Sequence, residues 1–364
     1  MDINEKLNKE LEAGRKDIKT DSFYMSIGEL INMFKDGDLK LDPAFQRLFR
    51  WNEIQKTKLI ESILLGIPIP PIFVSQRSNG KWVVIDGVQR LSTILQLTND
   101  LPDKDALILG EASKLKSLAG MSWETLPIDA KRLIRRSKFG LNIILTENSD
   151  ESQYELFQRL NTGGSQLEPQ EIRNCLIIML SEDYYNKINE LKEYDPYLKS
   201  LQLTDSKLEI EHHMELIIRY FIAKRNKVIF DDYSTSNNLL REFIDEETKN
   251  LISDTDFNLD LEIDNFKKVF DYIYTNLGKD SFKKYDRATE SFKGPFLESV
   301  FEAILPGVTQ NFNHINNMTE YKFRDLVIKM QEDPGFTEGS KRGTKPIMRF
   351  RVLTEFSYNF FSKI

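Results

Sequence analysis

The sequence predicts an α+β protein, in which a mixed α/β N-terminal part precedes a mostly helical C-terminal part. Two observations support this class. As far as about residue 148, short apolar runs with strand character alternate with helical patterns, and Asn79-Gly80 between two such runs is a strong hairpin signal. From residue 151 onward, apolar residues recur at helical spacing in nearly every segment. The length of 364 residues is sufficient for one large domain or two domains of ordinary size.

Composition narrows the possible classes of protein. The chain is 40% hydrophobic and 29% charged, which is typical of a globular protein. Its net charge of -7 argues against nucleic-acid binding through bulk charge, so any DNA contact requires a local basic patch. The sole cysteine, Cys175, lies in an apolar helical run and is expected to be buried. The charged N-terminus, and the lack of an apolar run near the roughly 20 residues of a membrane span, predict a cytoplasmic protein without membrane contact.

In the N-terminal part, the predicted elements have local start or stop signals. Residues 1–20 are polar and predict an arm, Ser26 can cap the helix that follows it, and Pro43 favours an extended segment. Asn52 can cap the next helix, and Gly66 can end it. Ile72–Gln76 and Trp82–Ile85 are predicted to pair as antiparallel strands. A helix is predicted at 87–97, and a further strand at Phe139–Asn148.

The C-terminal part has helical patterns only. They cover 151–160, 168–180, 206–224, 236–252, 260–277, 294–304, 318–331 and 345–362. The change in character falls near Ser149, where no Gly/Ser-rich linker occurs. We therefore predict three regions, which are an arm at 1–20, an α/β domain at 21–150 and a helical region at 151–364.

The segment Asp86-Gly87-Val88-Gln89-Arg90 is the first candidate site, because it places polar and charged residues where a strand meets a helix. Gly87 permits a tight turn, and the unpaired N–H groups of the following helix favour an anion. Arg90 can bind phosphate oxygens, Asp86 can hold a divalent cation, and Gln89 can orient water or a sugar. A structural alternative stays open, in which Asp86 caps the helix and Arg90 pairs with it or with another buried acid.

Two further polar segments are candidate sites, and the first of them matters only if Arg47 converges on Arg90. The first, "FQR" at Phe45–Arg47, lies in an extended stretch and by itself is typical of a solvated loop. The second, Leu156–Asn174, predicts two helices around a Gly163-Gly164 turn, with Pro169 in the first turn of the second helix. Its polar residues are Arg159, Asn161, Glu171, Arg173 and Asn174. The alternative is that these side chains cap and cross-link the turn.

Two basic clusters can contact nucleic-acid phosphates. The first comprises Lys131, Arg132, Arg135, Arg136 and Lys138, largely on one helical face. The second comprises Lys341, Arg342, Lys345, Arg349 and Arg351, in a Gly/Ser/Thr-rich stretch. Arg349 or Arg351 is a candidate to complete a nucleotide site. The alternative for both clusters is a solvated face balanced by nearby acids.

Four motifs resemble, in this order, one known family. They are "FQRLFRW" (Phe45–Trp51), "SILLGIPIPPIFV" (Ser62–Val74), "IDGVQRLSTI" (Ile85–Ile94) and "FQRLNTGGSQLEPQEIRN" (Phe157–Asn174). The family is domain-of-unknown-function family 262, the ParB/sulfiredoxin-like domain at the N-terminus of GmrSD-type restriction enzymes and related phage-defence proteins. The resemblance covers about residues 22–180. It extends more loosely to "HMELIIRYF" (His213–Phe221) and "FTEGSKRGTKPIMRFR" (Phe336–Arg351).

The resemblance implies a ParB/sulfiredoxin-like fold for the α/β part and a site that binds and hydrolyses a nucleotide. Carried over residue by residue, it implies catalytic roles for Asp86, Gln89 and Arg90, with Asp86 also binding Mg²⁺. The nucleotide contacts that it implies are Gln46, Arg47, Gly87, Thr93, Arg159 and Asn161, and the role of Glu171 is less defined. Val88 stands where the family often has Gln, a departure that we discount because a helical side chain at this position points elsewhere.

A second departure concerns the HNH nuclease domain that follows in GmrSD-type enzymes. An HNH site needs paired histidines with an acid or amide around a metal, whereas this chain has three histidines in all. Glu209 and His212 have the spacing of half a carboxylate-bridged metal site, but no second half follows, which predicts an ordinary pair on a helix surface. We expect the chain to lack its own HNH domain, and a separate nuclease or effector chain to cut DNA.

Three functions are compatible with these observations. The leading hypothesis is an NTP-hydrolysing phage-defence protein without a Walker A motif, in which Arg47 and Arg90 neutralise phosphate. The second is a non-catalytic sensor of DNA or of its modification, and the third is a metal-dependent nuclease with Asp86 as a ligand. The sensor would use Lys131, Arg132, Arg135, Arg136, Lys341, Arg342 and Lys345. The expected partners are a nucleoside triphosphate, DNA and an effector chain, and a homo-oligomer stays open.

Overall fold

The computed structural model describes residues 5–8, 20–41, 51–77, 79–102, 104–145, 168–233 and 240–364. The chain divides into two compact units, Met1–Leu167 (the first unit) and Glu168–Ile364 (the second unit). The first unit contains a five-stranded mixed sheet and the second is mostly helical, which confirms the predicted α+β class. The division predicted at 150/151 falls within 146–167, outside the described residues.

The first unit is built on a mixed sheet with the order β1-β5-β3-β4-β2. Its described elements are β1 (Thr20–Ser26), α1 (Ile27–Asp36), β2 (Leu39–Lys40), α2 (Glu53–Leu64), β3 (Ile72–Gln76), β4 (Trp82–Asp86), α3 (Val88–Leu97), α4 (Ile128–Arg136) and β5 (Lys138–Ile144). The pairs β1–β5 and β3–β4 are antiparallel, whereas β3–β5 and β2–β4 are parallel. β3 is therefore the central strand, and its side chains Ile72 and Val74 are buried in the core.

The first two helices begin where the sequence signals predict. The Ser26 hydroxyl accepts a hydrogen bond from the Glu29 backbone N–H at 3.2 Å, and Gly37 ends α1 in the left-handed region. Asn52 and Gln55 form a reciprocal capping box at the start of α2. These contacts confirm the predicted caps, because each satisfies backbone N–H groups that a helix leaves unpaired.

The predicted hairpin of β3 and β4 is confirmed, with Ser75 opposite Val83 and Gln76 opposite Trp82. β4 extends one residue beyond the prediction, because Asp86 pairs with Phe73 across an irregularity in the ladder. Asp86 is therefore the last rung of the sheet and lies directly before the turn into α3.

β1 is the longest of the described strands that the sequence analysis missed, the others being β2 and the two short strands of the second unit. Thr20–Ser26 pairs along its whole length with Lys138–Ile144, and the Ser22 hydroxyl donates a hydrogen bond to Asn142 Oδ1 at 2.7 Å. Its side chains are largely exposed, so it lacks the alternating apolar pattern of a half-buried strand. The pairing partner, rather than a local pattern, makes this segment a strand. β5 begins one residue before its predicted start, and residues 146–148 of the prediction lie outside the described residues.

The second unit is a helical assembly with one short hairpin. Its described elements are α5 (Pro169–Leu180), α6 (Glu182–Leu191), α7 (Asp195–Leu201), α8 (Asp205–Glu209), α9 (His212–Arg225), α10 (Leu240–Ser253), α11 (Leu259–Leu277), β6 (Lys284–Asp286), β7 (Ser291–Lys293), α12 (Glu298–Gln310), α13 (Phe312–Ile315), α14 (Glu320–Glu332), α15 (Pro334–Gly339) and α16 (Pro346–Phe361). The helix predicted at 206–224 is wrong in one respect, because it is broken before α9, where Glu211 has a φ of 56°. Cys175 is buried, as predicted. None of the described helices has both the length and the apolar character that a membrane crossing requires.

Candidate functional site

The segment Asp86–Arg90 forms the joint between β4 and α3, and we call it the strand–helix joint. Gly87 precedes the first residue of α3 and has a φ of 92°, in the left-handed region that favours glycine. No side chain caps α3, so the N–H groups of its first turn have no side-chain acceptor. Asp86 therefore does not act as the helix cap that the structural alternative assigned to it.

The packing behind Gly87 leaves no room for a side chain. A Cβ atom at this position would lie 2.3 Å from Ile72 Cγ2 and 3.2 Å from Arg90 Nη2. Ile72 belongs to the central strand and is 1% exposed, so it has little freedom to move. The absence of a Cβ is what allows β3, the turn and the Arg90 guanidinium to come together.

Arg90 is held in place by three hydrogen bonds. Its Nη2 donates to Asp86 Oδ2 at 2.8 Å, and its Nη1 donates to the carbonyl oxygens of Pro70 at 2.5 Å and Pro71 at 3.0 Å. An arginine carries five N–H donors, so the Nε–H and one Nη2–H have no acceptor within the described residues. The guanidinium is 12% exposed. It is therefore fixed in orientation and still has two donors for an incoming anion.

Asp86 is the carboxylate of the joint. Its Oδ2 accepts from Arg90, and its Oδ1 has no partner within the described residues, with the side chain 29% exposed. The described residues contain no group of three or more His, Cys, Asp or Glu side chains that could hold a metal ion. One carboxylate fits Mg²⁺ that is held mainly by nucleotide phosphates and water, and it does not make a two-metal nuclease site.

Gln89 and Thr93 lie along the first turns of α3. The Gln89 Oε1 accepts a hydrogen bond from the Trp51 backbone N–H at 3.3 Å, which ties the joint to the segment just before α2. Thr93 is fully buried, and its hydroxyl donates to the Gln89 carbonyl at 2.7 Å. In this arrangement Thr93 supports the backbone that carries Gln89.

Residues 27–178 match a family described as the GmrSD restriction endonuclease, N-terminal domain. The matched segment contains the whole strand–helix joint and the four motifs named above. It covers less than half of the chain and supports a GmrSD-type, restriction-related N-terminal domain over those residues. No curated protein and no solved structure matches the chain.

Four of the predicted nucleotide contacts cannot be placed on the joint. Gln46 and Arg47 lie in 42–50, and Arg159 and Asn161 lie in 146–167, outside the described residues. Their convergence on Arg90 stays a prediction. The carbonyls of Pro70 and Pro71, which orient Arg90, are site residues that the sequence analysis missed. The sequence signal that could have indicated them is the proline-rich segment before β3, because two successive prolines hold the backbone in an extended conformation.

The polar residues after 167 contact other parts of the second unit. Pro169 opens α5 as predicted, and Glu171 Oε2 accepts a hydrogen bond from the Glu168 backbone N–H at 2.9 Å. Arg173 is fully buried and pairs with Asp245 at 2.8 Å, while Asn174 donates to a buried glutamate, Glu211, at 2.6 Å. Glu171 thus caps α5, and Arg173 and Asn174 cross-link α5 to distant parts of the second unit, whereas the Gly163-Gly164 turn lies outside the described residues.

The first basic cluster is mostly exposed, although Arg132 pairs with Asp129 at 3.2 Å. Arg132, Arg135, Arg136 and Lys138 are exposed. Lys131 is half-buried, donates to the Glu124 carbonyl at 3.0 Å and lies over the Trp123 ring. In the second cluster, Arg342 and Lys345 are exposed, and Lys341 pairs with Glu338. Arg349 is different, because it binds two acids of α12.

Those acids belong to a group of charged side chains that we call the ion network. Arg219 contacts Glu215, Glu298 and Glu302, and Arg349 contacts Glu298 at 2.6 Å and Glu302 at 2.7 Å. His212 Nε2 lies 3.3 Å from Glu298 Oε1. The predicted surface location of His212 is wrong, since it is 7% exposed, and the break before α9 separates it from the exposed Glu209. Its neighbours on α12 lie far along the chain, so local spacing could not reveal them.

Proposed function

We propose that this chain is a nucleotide-binding, NTP-hydrolysing protein of a bacterial restriction-type phage-defence system. The match to the GmrSD restriction endonuclease N-terminal domain supports the restriction-type, phage-defence context. The observation that carries the nucleotide assignment is the oriented Arg90 guanidinium, which has two donors without an acceptor in the described part of the chain, beside the uncapped start of α3. A helix N-terminus and an arginine together favour a phosphate group.

Each residue of the joint has a proposed task. Arg90 binds phosphate oxygens and neutralises charge that develops during phosphoryl transfer. The Oδ1 atom of Asp86 holds Mg²⁺, whose remaining ligands come from water and the phosphates, and the ion neutralises phosphate charge. Gln89 positions the attacking water, and Thr93 supports the backbone that carries Gln89. Gln46, Arg47, Arg159 and Asn161 contribute further nucleotide contacts, and a separate nuclease or effector chain responds to the nucleotide state.

Phosphate release from ATP and GTP tests this proposal. With Mg²⁺ present, we expect Arg90→Ala and Asp86→Asn each to reduce the rate at least tenfold, because a charge-assisted contact is worth about 1.5–3 kcal/mol. Lys58→Ala is the matched control, since Lys58 is an exposed cation of the same unit and its side chain forms no hydrogen bond or ion pair with the joint within the described residues. Circular dichroism of each variant checks folding. No turnover in the wild type, or equal turnover in folded Arg90→Ala, would refute the assignment.

DNA binding without catalysis is the second candidate, and the exposed cations of α4 and β5 favour it. Replacing Arg132, Arg135 and Arg136 with alanine should weaken binding of duplex DNA and lower the salt dependence by about 0.9 per lost phosphate contact. A control variant with Lys40, Lys58 and Lys116 changed to alanine removes the same charge from exposed positions elsewhere. Fluorescence anisotropy across a salt series measures both. An equal loss in the two variants would show that only overall charge matters.

A further inference from the structure

The second unit contains a cavity of about 650 Å³ to which neither the family match nor the motifs assign a role. We call it the hairpin cavity, because the start of the β6–β7 hairpin forms one wall. The first turn of α12, the end of α14 and the short helix α15 form the others. Its volume lies within the roughly 300–1,000 Å³ of sites that bind small molecules.

One wall of the hairpin cavity is fixed by a buried amide. Gln331 is 8% exposed, accepts a hydrogen bond from the Tyr285 backbone N–H at 2.9 Å and donates to the Lys283 carbonyl at 3.0 Å. Both ends of its side chain therefore hold β6 against α14. This contact makes the cavity a preformed feature, which reduces the entropy that a ligand must offset on binding.

The lining combines an apolar surface with free polar groups. Leu297 supplies half-buried aliphatic surface, with the buried side chains of Phe336 and Val300 packed behind it in the wall of the cavity. Within the described residues, the hydroxyls of Tyr285 and Ser299 have no hydrogen-bond partner. Such a surface suits a ring system that carries hydroxyl or amide groups.

The charge around the cavity is positive. The Lys284 ammonium forms no ion pair within the described residues, whereas Arg287 at the same wall is held by Glu332. Ser340 also lines the cavity, and Arg342, two residues further, has no acidic partner in the described part of the chain. This arrangement favours an anionic ligand.

We propose that the hairpin cavity binds a nucleoside phosphate, with the ring on the Leu297, Val300 and Phe336 surface and the phosphate at Lys284. The ligand is either a free nucleotide or an unstacked nucleotide of a DNA strand, since both present the same chemistry. The site shares no residue with the strand–helix joint, and its assignment does not depend on the NTPase proposal.

Calorimetric titration of the full chain with AMP, CMP, ribose 5-phosphate and a short single-stranded DNA tests the proposal. We expect Lys284→Ala to weaken nucleotide or DNA binding at least tenfold, through loss of a charge-assisted contact. Ser299→Trp should have a similar effect, because its indole ring would fill the cavity. Lys279→Ala is the matched control, as an exposed lysine without an ion pair that does not line the cavity. Repeating the titrations in Arg90→Ala separates this site from the joint.

The outcomes separate the two sources of the ligand. Lys284-dependent binding of AMP or CMP identifies a free nucleotide, and Lys284-dependent binding of DNA alone identifies an unstacked nucleotide. The proposal is overturned if ribose 5-phosphate binds as tightly as AMP, or if neither nucleotides nor DNA bind. It is also overturned if Lys284→Ala, folded by circular dichroism, binds like Lys279→Ala.

Discussion

Replacing Arg219 with methionine is expected to lower the free energy of unfolding by about 3 kcal/mol. Arg219 is 3% exposed and lies 2.5 Å from Glu215, 3.0 Å from Glu298 and 3.4 Å from Glu302. Removing one member of a buried ion pair costs about 3–5 kcal/mol, because the remaining charge is left without compensation. We expect the lower end of this range, because Arg349 still contacts Glu298 and Glu302.

A second substitution identifies which carboxylate carries the cost. Burial raises the pKa of Glu302, although Arg349 and Arg219 oppose this shift. Because its folded pKa lies above its unfolded pKa, charged Glu302 costs stability at neutral pH, and the cost falls as the pH drops through the folded value. Glu302→Gln should therefore recover about 1 kcal/mol in the Arg219→Met background. The loss of unfolding free energy in Arg219→Met, relative to the wild type, should also become smaller as the pH is lowered toward the unfolded pKa of Glu302.

Urea denaturation followed by far-ultraviolet circular dichroism measures these differences. Arg287→Met is the matched control, because Arg287 also makes two hydrogen bonds to one glutamate, Glu332, but is 80% exposed. Exposed pairs are screened by solvent and contribute little to stability, so Arg287→Met should have a much smaller effect than Arg219→Met. The three tryptophans, Trp51, Trp82 and Trp123, all lie in the first unit, so their fluorescence separates effects on the two units. An equal decrease in unfolding free energy in Arg219→Met and Arg287→Met would contradict the prediction that breaking the buried ion network is the more destabilising change.

The second large effect is expected at the strand–helix joint, where Gly87→Ala should lower the free energy of unfolding by about 2–5 kcal/mol. A left-handed φ costs an alanine about 1–2 kcal/mol, and overpacking a core costs about 1–3 kcal/mol more. Both terms apply, because Gly87 has a φ of 92° and its Cβ would lie 2.3 Å from Ile72 Cγ2. Tryptophan fluorescence during urea denaturation reports the change in the first unit.

Gly80 provides the control for the backbone term. It has a φ of 78°, and nothing lies within 4 Å of the position of its Cβ, so Gly80→Ala should cost about 1 kcal/mol. Ile72→Ala removes the clashing methyl group, although it also empties part of the core. We therefore expect the double variant of Gly87 and Ile72 to lose at least 1 kcal/mol less than the sum of the single variants. Additive losses would show that the clash with Ile72 is relieved in another way.

The strand–helix joint was largely predictable because its signals are local. Asn79-Gly80 predicts the β3–β4 hairpin, and a glycine after a buried strand predicts the turn into α3. The caps at Ser26 and Asn52 act over three residues and are equally visible in the sequence. β1 was not predictable in the same way, because its ladder partner, β5, is more than a hundred residues away in the chain.

The partners of the charged side chains were not readable from local pattern. Arg90 could pair with Asp86 by spacing, but its contacts with the Pro70 and Pro71 carbonyls depend on how β3 enters the sheet. His212 and Glu209 have metal-site spacing in the sequence, yet a backbone break separates them and His212 meets Glu298 instead. The roles of Gln46, Arg47, Arg159 and Asn161 stay predictions.

The sequence by itself determined the α+β class, the first helix caps, the hairpin and the residues gathered at the strand–helix joint. Each of these follows from preferences that act over a few neighbouring residues. The tertiary structure alone decided that Arg90 has two donors without a partner among the described residues, that Arg219 meets Glu298 and Glu302 about 80 positions along the chain, and that β6, α12 and α14 line a common cavity. The physical reason is that these features depend on side chains brought together by packing, and no local preference specifies which distant segments pack.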